Sequence, residues 1–149
     1  MDCGVWNTAD TTPRGVAIVA DGRIDLRKSA GKLANLEAVL AEHPVAETGT
    51  GIGHTRWATH GAPPNDVNAH PHLSASSRVA VVHNGIIENF AALRAELQAE
   101  GITFHSETDT EVAGQLLGRE VGRGGATLIE AMRTVVGAPG GRIHSRRGG

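Results

Sequence analysis

Aromatic rings and sulfur are scarce in this chain, which has no tyrosine, two phenylalanines, two tryptophans and one cysteine in 149 residues. A core with so few large rings has to be filled by Ala, Val, Leu and Ile. A single thiol, Cys3, excludes both an internal disulfide and a thiolate-rich zinc site. Lysine is rare too: Lys28 and Lys32 are the two among fourteen basic residues, and this preference for arginine, with twenty glycines, is the usage of a GC-rich gene. No charge of one sign dominates. The formal net charge is −2, with no long run of either sign before an Arg pair near the C-terminus, so a nucleic-acid partner held through a basic face is not expected. No apolar stretch approaches the roughly 20 residues that span a bilayer, and the first residues, Met-Asp-Cys-Gly-Val-Trp, form neither a basic nor an apolar leader. A cytoplasmic chain without a membrane partner is the expectation. At 40% hydrophobic and 20% charged, its length suits one globular domain with its own core.

From Gly15 onward the pattern is regular. Val16 to Val19, the pair Asp21-Gly22 and the alternating run 23–28 predict a β-hairpin. Leu33, Leu36 and Leu40 predict a helix that ends near His43-Pro44. Buried strands are expected over 51–54 and 79–83, separated by a Pro- and His-rich loop over 61–77. Ile87, Phe90, Leu93 and Leu97 predict a helix over 86–99 stopped by Gly101. Another begins in the cap-rich Ser106-Glu107-Thr108-Asp109-Thr110 segment and carries Val112, Leu116 and Val121, and a last one covers about 127–136 before Gly137.

Chemistry-bearing residues concentrate in four segments: Gly53-His54-Thr55-Arg56-Trp57-Ala58-Thr59-His60, Asn68-Ala69-His70-Pro71-His72, His83-Asn84-Gly85-Ile86, and Ser106 to Glu111. Arg56 offers a planar fork for a carboxylate, and Asp109 a partner for an ammonium. Asn84-Gly85, between a strand and a helical pattern, can aim a side-chain amide and a backbone N–H at developing negative charge. Such a set suits a free amino acid whose side-chain carbonyl becomes tetrahedral. Each residue also has a structural reading: an Arg56–Asp109 ion pair, an ordinary turn at Asn84-Gly85, and Trp57 as core. His54, His60, His70 and His72 raise the question of a metal. No carboxylate at a metalloprotease-type spacing or thiolate joins them, so no metal is assigned and several are read as bonding the backbone of their loop.

Together, GIGHTRWATHGAP and VVHNGIIENF, with the other two segments, resemble the glutaminase domain of the glutamine-fructose-6-phosphate aminotransferases, a type 2, N-terminal-nucleophile glutamine amidotransferase family. The resemblance runs from about Gly15 to Gly137. It implies an α+β fold, part of a four-layer αββα arrangement with antiparallel sheets. It also implies an enzyme that needs no cofactor for this half-reaction. Glutamine is the implied partner, with fructose 6-phosphate bound through sugar-isomerase domains beyond this stretch, and the product is glucosamine 6-phosphate. By resemblance Arg56 grips the glutamine α-carboxylate, Asp109 with Gly85 receives the α-amino group, and Asn84 with the Gly85 N–H forms the oxyanion hole. Trp57, Thr59, His60 and His70 match further positions of the glutamine pocket. The implied reaction is acyl transfer from glutamine to an N-terminal cysteine thiol, releasing ammonia. Family members are homo-oligomers; association of this chain is not expected.

Cys3 departs from that pattern, because the family cysteine directly follows the initiator Met and here Asp2 intervenes. As nucleophile, Cys3 would need cleavage after Asp2. The chain therefore divides into an atypical, disorder-like 1–14, a partial amidotransferase domain over 15–137, and a low-complexity tail over 138–149, with the isomerase domains expected to be absent. Both ends read as off-frame translation. Written in plausible codons and shifted by one nucleotide, the tail becomes Arg-Leu-Glu-Gly-Ala-Phe-Thr-Leu-Val-Ala-Val, and a shifted head gives Gly-Leu-Arg-Arg-Leu-Glu-Tyr-Arg-Gly-His-Asp-Thr-Ala-Gly, similar to the family. Three readings stay open: an inactive glutaminase portion, a stand-alone amidohydrolase on Cys3, and a non-catalytic glutamine-binding module.

Overall fold

A computed structural model describes residues 13–47, 49–55, 66–137 and 141–146. Asp21 and Gly22 turn the chain through left-handed backbone, at φ 50° and 74°. A two-residue turn of that hand matches the twist of the strands it joins. Strands β1 (Arg14–Ala20) and β2 (Arg23–Ser29) accordingly pair antiparallel, from Ala20↔Arg23 to Arg14↔Ser29. Strand β3 (Thr50–Thr55) runs antiparallel along the other side of β1, giving the order β2-β1-β3. Helix α1 (Leu33–Glu42) leans on β2 and buries Leu36. Arg27 of β2 ties down the end of α1 by donating to the carbonyls of His43 and Pro44.

A 3-10 turn (Asp66–Asn68) leads into two short antiparallel pairs. Strand β4 (His72–Leu73) pairs with β5 (Ala80–Val81), and β6 (Ile86–Ile87) with β7 (Ser145–Arg146). Three helices close over them: α2 (Phe90–Ala99), α3 (Asp109–Gly122) and α4 (Leu128–Val136). The main core lies among these helices and strands, built from Val79, Ile87, Leu93, Leu97, Val112, Leu116, Leu117 and Val135, aliphatic as the composition requires. Helix α3 is central, with every residue from Thr110 to Leu117 buried. Arg119, near its end, is also buried. It donates to Glu96 at 3.0 Å and Glu100 at 2.9 Å on or next to α2, and to Glu120 at 3.2 Å, the pairing that a desolvated guanidinium requires. Helix α4 opens with a reciprocal capping box between Thr127 and Glu130.

Two parts of the chain differ from the sequence reading. The helix expected from Ile86 begins at Phe90, because Ile86 and Ile87 extend to pair with Arg146 and Ser145 and the Ile87 N–H goes to the Asp109 carboxylate. The strand expected over 79–83 shortens to Ala80–Val81. Composition offered no ordered element near the C-terminus, yet Ile143 enters the core, Asn89 donates to the Arg142 carbonyl at 2.7 Å and accepts from the His144 N–H at 3.0 Å, and Arg142 pairs with Glu96. Helix α4 buries Ala131 and Val135 and turns Leu128, Ile129, Met132 and Val136 outward.

Gly15 marks where the sheet meets the helical layer. It lies opposite Lys28 on β2 and His54 on β3, and a Cβ there would overlap the carbonyl of His70. Lys28 is partly enclosed at this junction. Burial pushes its ammonium down to about 8, against the opposing pull of Glu111 and Asp66. The unfolded chain holds this proton up to about 10.5 and so binds more protons between the two values, which makes stability rise with pH across that window. Urea denaturation at the two ends of the window is expected to show this gain in the wild type and its loss in Lys28→Met. Leu116, fully buried, and Leu128, half exposed, provide a second comparison. Leu116→Ala is expected to cost about 2–5 kcal/mol of unfolding free energy, and Leu128→Ala less than about 1 kcal/mol, because little apolar area is lost there.

Candidate functional site

The site is built on the amino end of α3. Thr108 caps this helix, its hydroxyl accepting the Glu111 N–H at 3.3 Å. Glu111 is 2% exposed, and its carboxylate accepts the His105 N–H at 2.9 Å and both the N–H and the hydroxyl of Ser106 at 2.6 Å. These bonds fold the 105–108 segment back over the first helical turn. Asp109, the first residue of α3, accepts the Ile87 N–H at 2.7 Å and so holds the chain that follows Asn84-Gly85. The Glu107 N–H donates to Asn68 at 3.1 Å, which joins the same corner to the start of the histidine loop.

Asn84, exposed, and Gly85, half-buried, lie on the segment between β5 and β6. His54, on β3, has its Nε2 2.6 Å from Asn84 Oδ1. The His54 ring lies 4.7 Å from that of His70, tilted by 43°, and His70 meets His72 edge-on at 5.0 Å. His72 Nε2 reaches the Thr108 hydroxyl at 2.9 Å, so the row of rings runs from the Asn84 turn to the cap of α3. Among the described residues, neither the Asn84 side-chain NH2 nor the Gly85 N–H has an acceptor. Two donors on adjacent residues thus have no acceptor among the described residues, on a segment held by an ionisable carboxylate.

The structure thus brings Asn84, Gly85, Asp109 and His70 into one region. Cys3, Arg56, Trp57, Thr59 and His60 lie outside the described residues, as does an Arg56–Asp109 pair. Two of the histidines have long-range partners that the sequence reading did not foresee: His54 bonds a side chain thirty residues away, and His72 bonds a helix cap. Among the described residues no group of three His, Cys, Asp or Glu is placed to hold a metal ion. The sequence reading marked the segment 106–111 but not the bonds that join Ser106, Thr108 and Glu111 within it, and it did not reach Lys28. The segment 106–110 was visible as cap-rich, and Glu111, next in the chain, bends its carboxylate to residues 105 and 106 rather than to the cap residue.

The glutamine amidotransferase domain family matches residues 33–135. The glutamine–fructose-6-phosphate aminotransferase (isomerizing) of Streptomyces coelicolor is 61% identical over 123 residues, which cover 83% of this chain and 20% of that protein. The protein of the same name from Leifsonia xyli is 60% identical over 82% of this chain and 20% of its own length, and that of Mycobacterium tuberculosis H37Rv is 59% identical over 70% and 17%. This chain thus spans about a fifth of the length of the curated relatives it matches. In fold it is similar to glutamine phosphoribosylpyrophosphate amidotransferase from B. subtilis, with a TM-score of 0.63 at 23% identity, over 89% of this chain and 27% of that one. The α+β arrangement with antiparallel sheets is therefore that of the N-terminal-nucleophile amidotransferases, and the chain belongs to the glutamine amidotransferase domain family.

Proposed function

We propose that this chain carries the glutamine-recognising and oxyanion-stabilising part of a glutaminase site whose ammonia serves the amination of fructose 6-phosphate. The observation that carries the reading is a pair of donors without an acceptor among the described residues, the Asn84 amide and the Gly85 N–H, on a turn tied to Asp109. When a thiolate adds to the side-chain amide carbon of glutamine, the carbonyl oxygen takes up negative charge. Donors already aimed at that position stabilise it without reorganising. Collapse of the intermediate breaks the C–N bond, releases ammonia and leaves a γ-glutamyl thioester, which water then hydrolyses. Arg56 would hold the α-carboxylate through its two parallel N–H donors, with Trp57, Thr59, His60 and His70 around the substrate, and Asp109 the α-ammonium. The amination of fructose 6-phosphate is what the relatives' name states for them, and it is extended here to the role of this domain.

Cys3 is the one thiol available, and its nitrogen is in amide linkage to Asp2, so it lacks the free α-amine that would act as its base. The chain is therefore expected to bind glutamine without releasing ammonia, and not to be labelled at Cys3 by a glutamine-analogue diazo-ketone. Calorimetry tests the binding half. Asp109→Asn keeps an acceptor for the Ile87 N–H but removes the charge, and is expected to weaken glutamine about tenfold to a hundredfold, the worth of one charged hydrogen bond. Arg56→Lys, which cannot reproduce a bidentate grip, is expected to lose at least as much. Undiminished binding in both variants would refute the assignment, and ammonia release that depends on Cys3 would favour the stand-alone amidohydrolase instead.

A further inference from the structure

The structure assigns His54 as the positioning residue that sets the polarity of the Asn84 side chain, so that the NH2 rather than the carbonyl oxygen faces the forming oxyanion. The assignment rests on the reading of Asn84 and Gly85 just given.

The two ends of an asparagine amide are almost identical in shape, so packing alone selects poorly between them. They are opposite in chemistry. With NH2 toward the substrate the turn presents two donors; with Oδ1 there it sets a lone pair against a developing negative charge. A neighbour of defined polarity has to choose, and His54 Nε2 is that neighbour, 2.6 Å from Asn84 Oδ1. Among the described residues no other partner holds the Asn84 side chain.

The choice requires the proton to sit on Nε2. His54 Nδ1 is buried and has no hydrogen-bond partner among the described residues. A proton on Nδ1 would be an orphaned buried donor, a rarer and costlier defect than an unsatisfied lone pair, whereas a proton on Nε2 finds Asn84 Oδ1 at good distance. The ring itself is fixed from two sides. Its backbone is paired to Gly15 in the sheet, and its face lies against His70, which abuts His72 and through it the Thr108 cap of α3. The same helix end begins with Asp109, so one scaffold orients both the oxyanion donors and the proposed ammonium acceptor.

The test uses the full 149-residue chain labelled with 15N, in the wild type, His54→Gln and His54→Leu, each with and without glutamine. Long-range proton–nitrogen correlations report the His54 tautomer, and the side-chain amide resonances of Asn84 report its environment. The expected wild type has its proton on Nε2, and glutamine shifts the Asn84 NH2 resonances. His54→Gln retains an N–H donor and is expected to keep those resonances and their response close to the wild type. His54→Leu is expected to move them and to lose most of the glutamine-induced shift. A structural role alone would not produce rescue by Gln. A wild-type proton on Nδ1, or Asn84 resonances indifferent to His54→Leu, overturns the positioning role, and the tautomer decides even where a variant fails to fold. If glutamine binds but leaves Asn84 and Gly85 undisturbed, the oxyanion reading fails first and takes this assignment with it. If both respond while His54 carries its proton on Nδ1, only the positioning role falls.

Discussion

Glu111 places a carboxylate among the helices at 2% exposure, and an ion so enclosed destabilises the fold by several kcal/mol unless donors meet it. Three do, and all come from residues 105 and 106. The requirement to satisfy one buried charge therefore dictates the path of the chain just before α3. That path brings Ser106 to the Thr108 hydroxyl, Thr108 to His72, and Asp109 to the amide of Ile87. The turn at Asn84-Gly85, the histidine row and the capped helix end are three consequences of the same electrostatic demand. Lys28 of β2, lowered to about 8 by burial, is drawn the other way by the charges of Glu111 and Asp66, which couples the sheet to this corner.

Much of this organisation was legible in the sequence because its signals are local. The hairpin was read from Asp21-Gly22, the start of α3 from the cap-rich segment 106–110, and the end of α4 from Gly137; the structure adds that Thr108 caps α3 and that Thr127 and Glu130 cap α4. The starts of α3 and α4 were correspondingly well placed. Ile86-Ile87 was not, since two apolar residues ahead of a helical stripe look like its first turn. Only a partner strand some sixty residues away, and a carboxylate on another helix, make them extended. The tail fails in the same way: one apolar residue, Ile143, finds a place in the core that no composition argument can foresee.

Of the site, the sequence offered the groups and not their couplings. Asn84, Gly85 and Asp109 stood out by type and spacing, and the structure joins them through the amide of Ile87, which has no sequence signature at all. The histidines were visible as a cluster and suggested metal or loop bonding. Their observed partners, an asparagine amide and a threonine hydroxyl, lie 30 and 36 residues away. Family-level similarity, 61% identity over a fifth of a longer relative, places this region within a known architecture, and the wiring among its side chains is seen only in the folded structure.

The close approach at Gly15 gives the sheet a mechanical hold on this chemistry. At Gly53 on the neighbouring strand an added methyl group would meet a valine side chain at 3.6 Å, an ordinary contact that costs little. At Gly15 it would drive into the His70 carbonyl, and His70 is the middle ring of the row between His54 and His72. Position 15 is consequently a place where a change in strand packing becomes a change in ring alignment, although residue 15 presents no side chain to any ligand. At Gly51 an added methyl group would meet the end of the Ile18 side chain, which can move aside, whereas at Gly15 it meets backbone and the tolerance is set by the site on the far side.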